Sequence, residues 1–140
     1  MLHSLNSLLK INSAGLANDS WGWTDPASGR EFAIMSFTEG FAFVEITDPE
    51  NPVITASVPI TSTDVQRLWR DVKVYNNHAF MVGEDADQGM KVFNLNRLLT
   101  VTNPPEIFEP DTFFQGFGSA HNIAINEDSG YAYPIGAREF

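Results

Sequence analysis

One interval runs through this sequence and limits what it can fold into. Trp21, Val72 and Ile123 are separated by the same step (72 − 21 = 51; 123 − 72 = 51), and the same step relates Trp23, Val74 and Ile125. The clearest copy spans Arg70 to Leu95. There an alternating segment with Val72 and Val74 meets the turn Asn76-Asn77, and the strand Ala79-Phe80-Met81-Val82 follows. An acidic loop closed by Gly89 then leads into a third strand from Met90 to Leu95. Upstream, Trp21 and Trp23 precede the turn Thr24 to Gly29, then Phe32-Ala33-Ile34-Met35, then Phe41 to Ile46. Downstream, Ile123 and Ile125 precede the turn Asn126 to Gly130 and Tyr131-Ala132-Tyr133. Short strands recurring about every 50 residues, with no helical stretch between them, predict propeller blades. The expected fold is all-β: a partial β-propeller of antiparallel, blade-like meanders, about two blades and part of a third.

The units fall at 18–59, 69–114 and 119–140, and 1–17 is an N-terminal strand or tail. Leu2, Leu5, Leu8, Leu9 and Ile11 suit one helical turn or an edge strand. Pro49 and Pro52 forbid ladder hydrogen bonds and end the first meander, after which Val53 to Val58 forms an outer strand. The second unit follows the same plan. Asn103-Pro104-Pro105 ends its meander, Ile107-Phe108 begins its outer strand, and Arg97-Leu98-Leu99 forms a helical turn between them. The third unit stops after its second strand, so the expectation is a piece of a longer protein. Such a piece should be poorly stable or self-associating, with Phe41, Phe43, Val92 and Phe93 partly wet.

Charge narrows the partners. Eighteen acidic against eight basic residues give a formal net charge of −10, which repels phosphate backbones and anionic headgroups, so no nucleic-acid partner is expected. No run reaches the roughly 18 apolar residues of a membrane-spanning helix. The absence of cysteine removes disulfides and thiolate metal sites.

The segments SWGWTDPASGREFAIM, GFAFVEITDPENPV, WRDVKVYNNHAFMV, GMKVFNLNRL and FGSAHNIAINEDSGYAY occur in order over most of residues 18–136. In them the chain resembles the choice-of-anchor B family, whose blades are related to LVIVD repeats. The resemblance implies an extracellular or cell-surface β-propeller followed by further blades and an anchoring device, and it implies no established reaction.

The repeat also aligns Asp19, Arg70 and His121, with Ser20, Asp71 and Asn122 beside them, just before the first strand of each unit. Innermost strands line a propeller's channel, so these positions converge at one mouth. Structural duty accounts for them as well: Asp71 pairing with Arg70 or capping a turn, and Asn122 satisfying loop amides. As a ligand site the mouth offers Trp69, Arg70, Asp71, His121 and Asn122. As a divalent-cation site it offers Asp19, Asp71 and His121, one imidazole and two carboxylates. Asp85 and Asp87, before Gly89, form a fragment of a calcium loop that lacks the distant bidentate glutamate and reads first as a solvated turn. Trp21 and Trp23 share a strand face and are assigned to the core, which leaves Trp69 nearest a ligand. Gly116 to His121 fits no nucleophile elbow, because Phe117 and His121 stand where glycines belong.

Two functions follow as expectations. The first is a non-enzymatic extracellular binding module with a protein or glycan partner. The second is a metal-dependent hydrolase using Asp19, Asp71 and His121 at the channel mouth.

Overall fold

A computed structural model of the chain describes residues 16–60 and 69–139. Alternation builds the first sheet. Strands β1 (Ala17–Thr24), β2 (Glu31–Phe37), β3 (Gly40–Glu45) and β4 (Val53–Pro59) form an antiparallel meander. Along β2, Phe32 and Ile34 are buried while their neighbours Ala33 and Met35 are only partly covered, the period-two signature of a sheet with one dry face. The tight β2–β3 connection requires Gly40. Its φ is 149°, and a Cβ there would sit 2.4 Å from the Val58 carbonyl oxygen.

The second sheet is the meander β5 (Arg70–Tyr75), β6 (His78–Gly83) and β7 (Met90–Asn94), completed by β9 (Thr112–Phe114). Asn76 and Asn77 both take positive φ, as a two-residue hairpin turn demands and as asparagine tolerates. A 3₁₀ helix, Leu95–Thr100, follows β7 and is capped by the Asn94 side chain accepting from the Asn96 amide at 3.0 Å. The third sheet is the hairpin β10 (Asn122–Asn126) and β11 (Tyr131–Ile135).

The β5–β7 part of the second sheet is packed on both sides. Ala79, Met81 and Phe93 face the first sheet in a core with Trp23, Phe32, Ile34, Phe41, Phe43 and Val58. Val82, with Phe80 and Met90, joins Phe117, Ala120 and Ile123 in a second cluster. Strand alternation sends successive β6 side chains to opposite layers. The first strands of the three units lie side by side, β5 contacting both β1 and β10.

The molecule is thus all-β, built of antiparallel sheets, and three expectations need correction. Ile107 does not begin the second unit's outer strand: β8 (Glu106–Ile107) pairs in parallel with Ala56 and Ser57 of β4, and Thr112–Phe114 takes the outer position instead. The 3₁₀ helix turns the chain back towards the first sheet, where the Phe108 amide donates to the Ser57 carbonyl at 2.8 Å. Phe41, Phe43 and Phe93 are buried, because the two sheets cover each other and Phe43 meets Phe93 at 4.8 Å between ring centroids. Trp21 is 43% exposed: it lies on β1, the edge strand of its sheet, with Lys73 over its ring rather than an apolar layer. Large apolar side chains that face solvent lie elsewhere, among them Ile107, Phe114, Tyr131, Tyr133 and Ile135. The reading of residues 1–15 as an N-terminal strand or tail lies outside the described residues.

Candidate functional site

Most of the aligned positions lie within the first strands rather than before them, and they divide. Asp19, Asp71 and Asn122 gather with Lys73 in one joint, His121 stands in an exposed mouth with Glu84, and Arg70 joins neither. Asp71 forms the joint. It is 2% exposed, and both its oxygens are spent. Oδ1 accepts from the Val72 amide at 2.8 Å and the Lys73 ammonium at 2.5 Å. Oδ2 accepts from the Ile123 amide at 2.8 Å and the Asn122 amide group at 3.4 Å. Lys73 carries the connection to the first sheet, 3.6 Å from the Asp19 carboxyl and 4.6 Å from the centre of the Trp21 ring.

The two carboxyls are pushed apart. Burial raises Asp19, and its hydrogen bond with Asp71 and that group's charge raise it further, so Asp19 keeps a proton to higher pH than an ordinary aspartate. Burial acts on Asp71 in the same sense, but hydrogen bonds from Asp19, Lys73 and the Ile123 amide outweigh it and hold Asp71 low.

Arg70 does not reach the mouth. Its neighbour Asp71 faces β10, so Arg70 turns to the other side of β5, where its guanidinium pairs with the Asp85 carboxylate with both side chains almost wholly enclosed. That engagement corrects two expectations together: Asp71 pairs with Lys73 rather than Arg70, and Asp85 is a buried ion-pair partner rather than part of a solvated turn or an open calcium ligand. Asp87 is exposed, with φ of 61°. Lys91 lies beside this pair, 2% exposed, donating to Gln88 Oε1 at 3.2 Å and the Pro59 carbonyl at 3.3 Å. Burial, then the charge of Arg70, lowers its ammonium to about 8.

Among the described residues no three His, Asp or Glu side chains gather as a metal ion requires. The set Asp19, Asp71 and His121 is not assembled, because the Lys73 cation serves both aspartates and His121 turns to Glu84.

The mouth itself consists of Trp69, Glu84 and His121. His121 Nδ1 lies 2.6 Å from Glu84 Oε1, its ring centre is 5.8 Å from that of Trp69, and Trp69 is 52% exposed. Backbone bonds fix the three: the Glu84 amide donates to the Trp69 carbonyl at 3.1 Å, and the Ala120 amide to the Gly83 carbonyl at 2.9 Å. A cavity of about 150 Å³ adjoins, lined by Glu84, Asp87, Ser119 and Arg138 among others. Asn122 stands at the edge, committed to Asp71. Glu84 was legible in principle, since counting outward from a two-residue turn at Asn76-Asn77 sets it opposite Trp69. Lys73 carries no comparable signal.

Compared with family models, curated proteins and solved structures, the chain matches none of them.

Proposed function

We propose that the chain is part of a cell-surface β-propeller of the choice-of-anchor B kind, acting as a non-enzymatic binding module whose mouth holds a protein or glycan partner. Support for the propeller comes from three sheets whose first strands, equally spaced in sequence, adjoin in space and are tied through Asp71. The observation that carries the binding reading is the Trp69, Glu84 and His121 cluster. A half-exposed indole is held by backbone bonds beside a carboxylate and an imidazole, outside any packing role. A flat aromatic face with hydrogen-bonding groups at its rim suits the apolar face of a sugar ring and its hydroxyls, which favours the glycan. The hydrolase reading has no such support, because its three ligands do not converge.

Glycan-array screening of the full chain, followed by titration of the best ligand, tests this. Trp69→Ala is expected to weaken binding at least about tenfold while the melting temperature holds, since an exposed ring contributes little to the core. Unchanged affinity in that variant, or no saturable glycan or surface-protein binding at all, overturns the reading.

A further inference from the structure

His121 and Glu84 present hydrogen-bond acceptors beside the Trp69 ring. Glu84 Oε1 lies 2.6 Å from His121 Nδ1. An ionised carboxylate accepts and cannot donate, so the proton of that bond sits on the imidazole, and the neutral ring carries its lone pair on Nε2. Among the described residues the Glu84 side chain bonds only to His121, which makes Oε2 a second acceptor. Both side chains reach solvent, 47% of His121 and 21% of Glu84.

Charge sharpens the choice of ligand. Of the described residues lining the adjoining cavity, Glu84, Asp87 and Glu139 are acidic and Arg138 is the one base. Three carboxylates against one guanidinium leave this rim negative, in a chain whose formal net charge is −10. Backbone bonds hold the rim in place. The Arg138 amide donates to the Ser119 carbonyl at 2.9 Å, and its carbonyl accepts from the Gly118 amide at 2.8 Å. The Gly89 amide donates to the Gly118 carbonyl at 2.9 Å and so pins the loop that bears Asp87. A carboxylate or sulfate on a sugar brings acceptors to acceptors and negative charge to negative charge. Hydroxyls bring donors and no charge, and they edge a pyranose whose apolar face can lie on an indole. We infer, on the glycan reading of this site, that the mouth selects a neutral sugar. One of its hydroxyls donates to Glu84 and another to His121 Nε2, and uronates, sialosides and sulfated sugars are rejected.

The test is calorimetric titration of the full chain with hexasaccharides paired so that they differ only at C6. Cellohexaose is set against the β-1,4-glucuronate hexamer, β-1,4-mannohexaose against the mannuronate hexamer, and α-1,4-galactohexaose against the galacturonate hexamer. A neutral member should bind saturably, and its affinity should hold within about twofold from about 0.05 M to about 0.5 M salt, since no ion pair forms with it. Its uronate should bind at least about tenfold more weakly at low salt, and salt should narrow the gap. Glu84→Gln keeps the shape of the side chain and removes its charge. It should weaken the neutral sugar about three- to tenfold and narrow the gap to its uronate by at least about threefold. A uronate bound as tightly as its neutral partner, or a gap that Glu84→Gln leaves unchanged, overturns the selection while the glycan reading stands. Saturable binding of no member of any pair overturns the selection and the glycan reading together.

Discussion

Lys91→Met should change how the stability of this protein depends on pH. Lys91 is 2% exposed, and its ammonium is lowered from 10.5 to about 8 by burial and by the neighbouring Arg70 charge. A depression of that size means that keeping the ammonium charged in the folded state costs ~3 kcal/mol. The folded protein binds this proton less tightly than the unfolded chain. The cost is therefore complete below about pH 8, shrinks as pH rises towards 10.5, and is gone above it. Methionine preserves the stem's packing and removes the charge, but it gives up the bonds to Gln88 Oε1 and the Pro59 carbonyl, about 1 kcal/mol each. At pH 7 the variant should come out ~1 kcal/mol more stable. By about pH 9.5 the wild type recovers roughly half of its penalty, so the order reverses or the two become equal. Urea unfolding of both proteins across that range measures the difference directly. A stability difference that stays constant from pH 7 to 9.5 refutes the account, because it means that Lys91 titrates alike in the folded and unfolded chains.

Asp19→Asn should equal or exceed the wild type in stability at pH 7 and lose that advantage on acidification. A carboxyl whose folded pKa is raised favours the fold only below that pKa, and parallel urea titrations at pH 4 and pH 7 will show whether the difference varies. Asp71→Ala should cost about 2–4 kcal/mol, since it leaves the buried Ile123 amide without its acceptor and takes from Lys73 the nearer of its two carboxylates; a loss below about 1 kcal/mol in urea unfolding contradicts its role as the joint between sheets. Asp85→Ala should destabilise by about 3–5 kcal/mol through loss of the enclosed ion pair with Arg70. Millimolar calcium should leave the wild-type melting temperature in place, and a rise of several degrees would revive the calcium loop.

Local chemistry was readable where spacing or turn type determined it. The interval linking Trp21, Val72 and Ile123 gave the adjacency of the first strands, Asn76-Asn77 gave the β5–β6 register, and Arg97 to Leu99 gave the helical turn. The failures share a cause. Whether Asp71 meets Arg70 or Lys73, whether Trp21 is covered, and whether Glu106–Ile107 joins its own sheet or the preceding one depend on how sheets lie against each other. Spacing along the chain carries no direct record of that. The ligand set suffered for the same reason: Arg70 and Asp71 are neighbours in sequence, but the pleat sends one into a buried ion pair and the other to the joint between units. The meeting of Glu84 with His121 became visible only once strands from different units were brought together.

The parallel pairing of β8 with β4 makes the unit of repetition differ from the unit of construction. By sequence, residues 70–114 look like one interchangeable module. By hydrogen bonding, Glu106 and Ile107 belong to the sheet before it, as a stitch that the second unit sews into the first. An engineer who deletes, duplicates or transplants 70–114 as a cassette therefore also moves the edge strand of the neighbour left behind. The cut that keeps the first sheet whole must follow the stitching rather than the sequence interval, leaving Glu106 and Ile107 with β4.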